Sequence, residues 1–587
     1  MNLEVIAAIL SNPYIGPPLR RMLLNDNGVE KLRELASQLT VEPLHFPMDR
    51  VDSASWEKAA ERSSSFDTSF KQNFLLNGIP NHPNHDSTLP SVMDYNAAFR
   101  SGKTRPSEVM KATLDTIKSW EEEHDFKVFS HIISAEVMRQ AEESDLRWAA
   151  GAPLSVFDGV PVAFKDMMDI KGHTVRDGKS PRPEHGHLWK NATKDDLVVK
   201  RFREAGAVIV GLTIMTEGGC SPMGWNSHFQ GPTSPFHRNR YSGGSSSGSA
   251  VAVATGLVPV AIGFDGGGSI RIPATMSGVH ALATTFGRIP FDDHTFVTNI
   301  KAGPFGTCTN DVALAYGLMA ETDPDHFYST SYGPGGPPPA FMQGGEPADD
   351  LKGMRVGLFR DWTSDGDAEV VAEFDKVVSY LTASGVTVVE IEIPHMQQLS
   401  FSHGLKISSE FAIGWDYAFS SSPGAIEPET KVVLGLGNSV SAMEILAAEK
   451  LRAWAYKHVK SLYAEHDLTA IITPTVSVLP PVLSDEAKVN GESNTAQVVK
   501  IMKHIFIGNF LGLPGYSIPI GSVSTTTDGD AHRLPVGMQL LGNHWQEDKL
   551  LALSNFIERN YSNPLLSSAA KEGGTVRAKP MHQHHPF

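Results

Sequence analysis

The chain has 587 residues, a formal net charge of −16 (50 Lys+Arg against 66 Asp+Glu) and a hydrophobic share of 41%. That composition can bury a substantial core and excludes wholesale disorder, while the negative balance disfavours nucleic acid as a partner. The 2 cysteines, Cys220 and Cys308, exclude a disulfide-stapled scaffold and an all-cysteine zinc site.

The N-terminus, MNLEVIAAILSNPY, has no basic stretch and too short an apolar run for a secretory signal. No 18-residue apolar run follows. The nearest, 250–264, contains Gly256, Pro259 and Gly263 and reads as buried interior rather than a membrane span. A cytoplasmic protein without a transmembrane segment is the expectation.

Residues 1–90 hold short helical stretches such as 28–39, then a loop-rich run ending in NGIPNHPNHDSTLP. They read as an N-terminal helical extension and linker. From 91 the pattern is regular. A helix is expected over 105–123 with Ser107 as its N-cap, a strand over 127–133, a helix over 135–150 and a strand over 160–164. A helix over 195–205 then precedes a buried strand over 207–212. Further strands are expected at 258–264, 354–359, 386–393, 469–473, 516–520 and 536–541. Helices are expected at 311–321, 368–384, 441–466, 495–510 and 547–560. Strands separated by helices predict an α/β sheet with helices on both faces. The Gly/Pro-rich run 331–348 reads as a surface loop, and 562–587 as a polar tail.

The most informative stretch is 241–274, YSGGSSSGSAVAVATGLVPVAIGFDGGGSIRIPA. A Gly/Ser cluster opens a helix of small residues. A buried strand follows and ends in Asp265, Gly266, Gly267, Gly268 and Ser269. Sites in open α/β sheets lie beyond the C-terminal ends of strands. Consecutive glycines let backbone N–H groups converge there without a Cβ clash, and converging N–H groups beside a serine hydroxyl suit an oxyanion.

These residues resemble the amidase signature family of serine hydrolases. The match rests on 243–274, where Ser245 and Ser269 stand 24 positions apart, and on the lysine segment FDGVPVAFKDMMDIKG at 157–172. GAVIVGLTIMTE (206–217), GPTSP (231–235), IITPT (471–475) and the run from 511 to 542 match as well, so the resemblance spans about 90 to 560. It implies a single large mixed, twisted β-sheet covered by helices over 91–561, and a Ser–Ser–Lys amidase that needs no cofactor and no metal.

The resemblance assigns Ser269 as nucleophile, Lys165 as base and Ser245 as the relay between them, with a cis Gly244–Ser245 peptide. Backbone N–H groups of Gly266, Gly267, Gly268 and Ser269 would hold the oxyanion. Lysine suits the role on chemical grounds, because desolvation after an apolar strand favours the neutral amine. Asp265 and Arg271 are expected to support the loop as an acid–base pair, with Ser246 hydrogen-bonded nearby. Met168, Cys220, Met223 and Trp225 would make an apolar, adaptable substrate pocket. The pattern departs from the family at Phe264, where Thr is usual, and at Ala283-Thr284.

Two other signals compete. Residues 244–248 also read G-x-S-x-G, the nucleophile elbow of α/β-hydrolases with Ser246 as nucleophile, but SPFHRNRY before them is no strand. The clusters His82/His85, His185/His187 and His582/His584/His585 carry no H-E-x-x-H pattern and read as solvated loops. The expected partner is a small-molecule amide, and the N-terminal extension is a candidate for homodimer contacts. The alternatives are a glutaminase subunit of an amidotransferase and an inactive relative acting as an interaction module.

Overall fold

The computed structural model describes residues 3–12, 15–47, 89–291, 298–320, 351, 353–492 and 494–561. The strands in chain order are β1 (Phe129–Ile132), β2 (Pro161–Lys165), β3 (Thr174–Val175), β4 (Lys190–Asn191), β5 (Val208–Thr213), β6 (Val260–Asp265), β7 (His280–Ala283), β8 (Lys301–Gly306), β9 (Arg355–Leu358), β10 (Thr387–Glu390), β11 (Ala470–Pro474), β12 (Gly515–Thr527) and β13 (Asp530–Leu541). All but β3 and β4 join one 11-stranded sheet in the order β1-β5-β2-β6-β8-β7-β12-β13-β11-β9-β10. β2 runs parallel to both β5 and β6, whereas β8 is antiparallel to β6, so the sheet is mixed.

β2, β5 and β6 are buried at every position. This explains why they read as continuous apolar runs rather than alternating ones: helices cover both faces of the parallel centre. One core cluster joins Val162, Phe164, Val210, Ile262 and Phe305 to helical Phe202 and Val253. Parallel strands end on the same side, so β2 and β6 deliver Lys165 and Asp265 to one edge of the sheet.

Several expectations need revision. Ser107 does not cap its helix. The helix is Pro106–His124, capped by the Arg105–Glu108 box, because Pro106 occupies the first turn where a missing N–H costs nothing. Ser107 bonds Asp145 instead. The helix expected over 495–510 is two, Thr495–Met502 and Phe506–Phe510. The final hairpin is longer than its apolar centres, with Thr527 paired to Asp530 across an Asp528–Gly529 turn in which both φ angles are positive. β7, β8 and the helices Met396–Gly414, Asp416–Ser421 and Pro428–Gly437 are additional to those foreseen. The loop at 331–348, the tail from 562 and the histidines at 82, 85, 582, 584 and 585 lie outside the described residues.

The N-terminal helices Leu3–Ser11, Gly16–Asp26 and Val29–Gln38 pack onto the main body. Leu24, Val29, Leu32 and Ala36 share a core cluster with Leu399, Leu451, Phe510 and Leu541. Arg21 and Arg33 pair with Glu444 in the first turn of the Ala442–His466 helix, whose capping box uses Ser441 and Glu444.

Candidate active site

Lys165 is the last residue of β2 and is only 1% exposed. Its Nζ donates to Ser245 Oγ at 2.7 Å. Burial pushes the Lys165 ammonium down to about 7, against the opposing fields of Asp177, Asp265 and Cys220. A large fraction of Lys165 is therefore the neutral amine near neutral pH, which is what a general base requires.

Ser245 stands on a turn preceding the Ser247–Ala254 helix, and the Gly244–Ser245 peptide is cis. The turn is held by its neighbour loop: Gly243 N–H donates to Met223 O at 3.0 Å and Gly244 N–H to Pro222 O at 2.8 Å. The close approach is possible because position 224 is glycine. A Cβ there would stand 2.3 Å from Gly243 O, and its φ is +104°.

β6 ends at Asp265, and the chain then turns through Gly266–Ser269. The fully buried Asp265 carboxylate accepts from Gly268 N–H at 2.6 Å and Ile270 N–H at 3.2 Å. The equally buried Arg271 clamps it with Nε and a terminal nitrogen, each at 3.0 Å. Arg271 also donates to Gln539 Oε1 at 2.5 Å and Ile505 O at 3.2 Å, while Asn509 donates to Asp265 O at 2.7 Å. Burial alone would raise the Asp265 carboxyl, but Arg271, Lys301 and Asn509 hold it well below the usual carboxylate range. The pair ties the turn to the end of β6. Gly268, expected among the oxyanion donors, spends its N–H on Asp265. Among the described residues, Gly266, Gly267 and Ser269 donate theirs to none.

The two turns meet. Ser246 N–H donates to Ser269 O at 3.1 Å, and Ser246 Oγ to Phe264 O at 3.2 Å. Ser246 therefore ties the relay turn to the end of β6. Its hydroxyl is buried and it follows a turn rather than a strand, so the nucleophile-elbow geometry is not present. Ser269 is half-buried, whereas Ser245 and Lys165 are buried.

Side chains from outside the motifs wall the Gly266–Gly268 turn. A Cβ on Gly266 would lie 3.4 Å from Ile407, one on Gly267 3.1 Å from both His403 and Met502, and one on Gly268 2.1 Å from Ile505. His403 Nε2 contacts Gly266 O at 3.2 Å, and burial drives its imidazole down to about 4, so it is neutral and donates to that carbonyl. Met223 and Trp225 belong to the same apolar cluster as Met502 and Ile505. Met168 is fully buried in the main core cluster, against which Ile407 also packs. Cys220 is half-buried with its thiol pushed well up by burial, Glu217 and Asp177, which disfavours it as a competing nucleophile. His185 and His187 sit in a short 3₁₀ helix, where His187 meets Ser422 at 2.9 Å.

Gln539 lies inside a segment that carries the family resemblance and Asn509 two residues before it, so these partners had a sequence signal. Ile407, His403 and Met502 had none.

The amidase family model matches residues 108–551. The chain belongs to the amidase family. It is an amidohydrolase that cleaves carboxamide C–N bonds through a serine nucleophile. Within this family of amidases it is 29% identical over 578 residues to the fatty acid amide hydrolase of Arabidopsis thaliana, covering 95% of this chain and 92% of that protein. It is 30% identical to a glutamyl-tRNA(Gln) amidotransferase subunit of a Leptospira interrogans strain, covering 81% of this chain and 98% of that one. Among solved structures, a bacterial aryl acylamidase superposes with a TM-score of 0.69 at 22% identity, covering 81% of this amidase and 97% of that chain. The peptide amidase of Stenotrophomonas maltophilia does so at 0.66 and 22%, covering 80% and 96%. These two share the fold. The plant match covers more of the chain than the family model does. Among the described residues no single helix is long and apolar enough to cross a membrane.

Proposed function

We propose that this amidase hydrolyses amides with an apolar acyl group through a Ser269 acyl-enzyme. The observation that carries the reading is the 2.7 Å hydrogen bond from buried Lys165 to Ser245, whose turn is in turn bonded to the backbone of Ser269. Ser269 Oγ attacks the amide carbonyl carbon. Its proton passes to Ser245 Oγ, while Ser245 gives its own to the neutral Lys165 amine. The N–H groups of Gly266, Gly267 and Ser269 hold the oxyanion; the brace of Asp265 and Arg271 fixes that turn before substrate arrives, so no reorganisation is needed at the moment of attack. As the C–N bond breaks, the proton returns from Lys165 through Ser245 to the leaving nitrogen. Water then enters, gives a proton to the same relay and releases the carboxylic acid, restoring the Ser269 hydroxyl.

The apolar acyl group is supported by Ile407, Met502 and Ile505 around the turn, and by the near full-length similarity to a plant fatty acid amide hydrolase. A cytoplasmic setting agrees with two free thiols, Cys220 and Cys308. The decisive experiment compares a series of linear fatty acid amides with glutamine, with an alkyl fluorophosphonate as active-site label. Chain-length-dependent hydrolysis, with labelling lost in Ser269→Ala, is the expected result. Labelling that persists in Ser269→Ala overturns the nucleophile assignment. The similarity to a component of an amidotransferase favours a second reading, a glutaminase; glutamine hydrolysis that requires a co-purifying chain would select it.

A further inference from the structure

A charged pair beside the base takes no direct part in this chemistry. Asp177 lies on the loop between β3 and β4, in the left-handed region at φ 56°. Its N–H donates to the carbonyl of Asp166, the residue after Lys165, at 2.8 Å. Its own carbonyl accepts from Gly218 N–H at 2.9 Å. The next residue, Gly219, is close enough to the relay that a Cβ there would stand 3.3 Å from Ser245 Oγ. Asp177 thus bridges the end of β2 and the turn flanking Ser245, touching the supports of both members of the relay.

Its side chain is arranged just as specifically. Oδ2 accepts from Lys179 Nζ at 3.2 Å, and Oδ1 is buried without a hydrogen-bond partner among the described residues. The pair is only 18% and 16% exposed. Lys179 in turn sits 4.1 Å from the ring centroid of Trp415, which lies flat enough on Gly218 that a Cβ there would come within 2.5 Å of it. The charged and titratable groups facing this corner are Lys165, Asp166 and Arg176 from β2 and the following loop, Glu217 and Cys220 from the next turn, and Asp265 from β6.

We propose that the Asp177–Lys179 ion pair is a positioning device for the Lys165–Ser245 relay, tying the end of β2 to the turn beside Ser245, with Trp415 coupling it to the helices that wall the site. Asp177 favours the protonated lysine, and Lys179 moderates that effect. A buried carboxylate near an amine favours its charged form, and a partner cation cancels part of that field. Asp177 and Asp265 are two carboxylates whose fields act on Lys165. Asp265 is committed to Arg271, whereas Asp177 keeps one oxygen unpaired and has a weaker, lysine partner. Of the two, Asp177 is the one whose charge can be changed without dismantling the nucleophile turn.

The inference rests on Lys165 being the base, and its test keeps the two apart. The pH dependence of kcat/KM is measured with decanoyl p-nitroanilide, and the pH dependence of the labelling rate with an alkyl fluorophosphonate, on the full chain. Removing the negative charge in Asp177→Asn lets Lys165 lose its proton more readily, so the acid limb moves about one pH unit lower. Removing the positive charge in Lys179→Gln moves it higher, and the double variant returns towards the parent. An unmoved limb in both single variants, or movement in the same direction, overturns the proposal even if activity falls, because a merely structural role changes rates without opposite shifts. Should Asp177→Asn not accumulate as folded protein, the sign of the Lys179→Gln shift decides alone. If Lys165→Ala keeps hydrolysing, the failure belongs to the assignment of the base instead.

Discussion

Two lysines are buried in the sheet, at Lys165 and Lys301, each 1% exposed. Burial pushes both ammonium groups down to about 7. Lys165 ends a strand in the parallel centre and donates to a serine hydroxyl. Lys301 begins antiparallel β8, opposite Asp265, and donates to the carbonyls of Gly508 and Leu513. A carbonyl has no proton to give, whereas a hydroxyl has. The difference teaches that a depressed lysine is not by itself a base: its acceptor decides whether the free lone pair has anything to take. Lys301 is an anchor between β8 and the segment 508–513, and Lys165 is the one proposed as base.

Four experiments break or sharpen that contrast. The largest effect is expected at the reactive end. Ser269→Ala should lower kcat by about 10⁴-fold or more and Lys165→Ala by about 10³-fold, both with a parent-like melting transition in calorimetry. A Lys165→Ala enzyme with near-parental kcat would erase the distinction between the two lysines. Next comes the brace. Arg271→Met leaves Asp265 buried without its cation, and chemical denaturation should read a loss of about 3–5 kcal/mol.

Third is pH. Lys165 must be neutral to act, so kcat/KM falls as pH drops below about 7, where burial has placed its titration. Lys301→Met should leave that limb in place. It should instead change stability. Lys301 titrates lower in the folded chain than in the unfolded one, so between about 7 and its ordinary value the unfolded chain holds the extra proton, and this group makes stability rise with pH. The difference in unfolding free energy between parent and Lys301→Met should carry that slope; a flat difference would mean that Lys301 is not the buried titrating group described. The smallest effect is Ser246→Ala, which loses one bond to Phe264 O and should cost about 1 kcal/mol of stability while labelling continues at Ser269. Loss of labelling would restore the nucleophile-elbow reading.

The sequence was most legible where local chemistry repeats. The buried strands β2, β5 and β6 announce themselves as apolar runs, and the two Gly/Ser turns between and after them carry the resemblance to the family. Legibility drops where a residue's role depends on a distant partner. Gly268 looks like an oxyanion donor until the Asp265 carboxylate is seen accepting its N–H. The Met396–Gly414 helix escapes periodicity because its buried face includes Ser402, His403 and Lys406 beside Leu399 and Leu405. The mixed face serves the site and an ion pair with Glu449, so no apolar stripe forms. The hairpin β12–β13 had a signal that the apolar pattern hid: Asp-Gly at 528–529 marks the turn, but the strand ends flanking it are polar.

The N-terminal helices carry one last consequence, which concerns time rather than geometry. Arg21 and Glu444 are separated by 423 positions in the chain, and Arg33 and Glu444 by 411. At a synthesis rate of about 5–20 residues per second, Leu24, Val29 and Leu32 wait roughly 20–80 s for the helix that covers them. During that interval the first helices must either stay exposed, be sheltered by a chaperone, or rest on something they later leave. A helix made late in the chain is what completes the cover of the first ones.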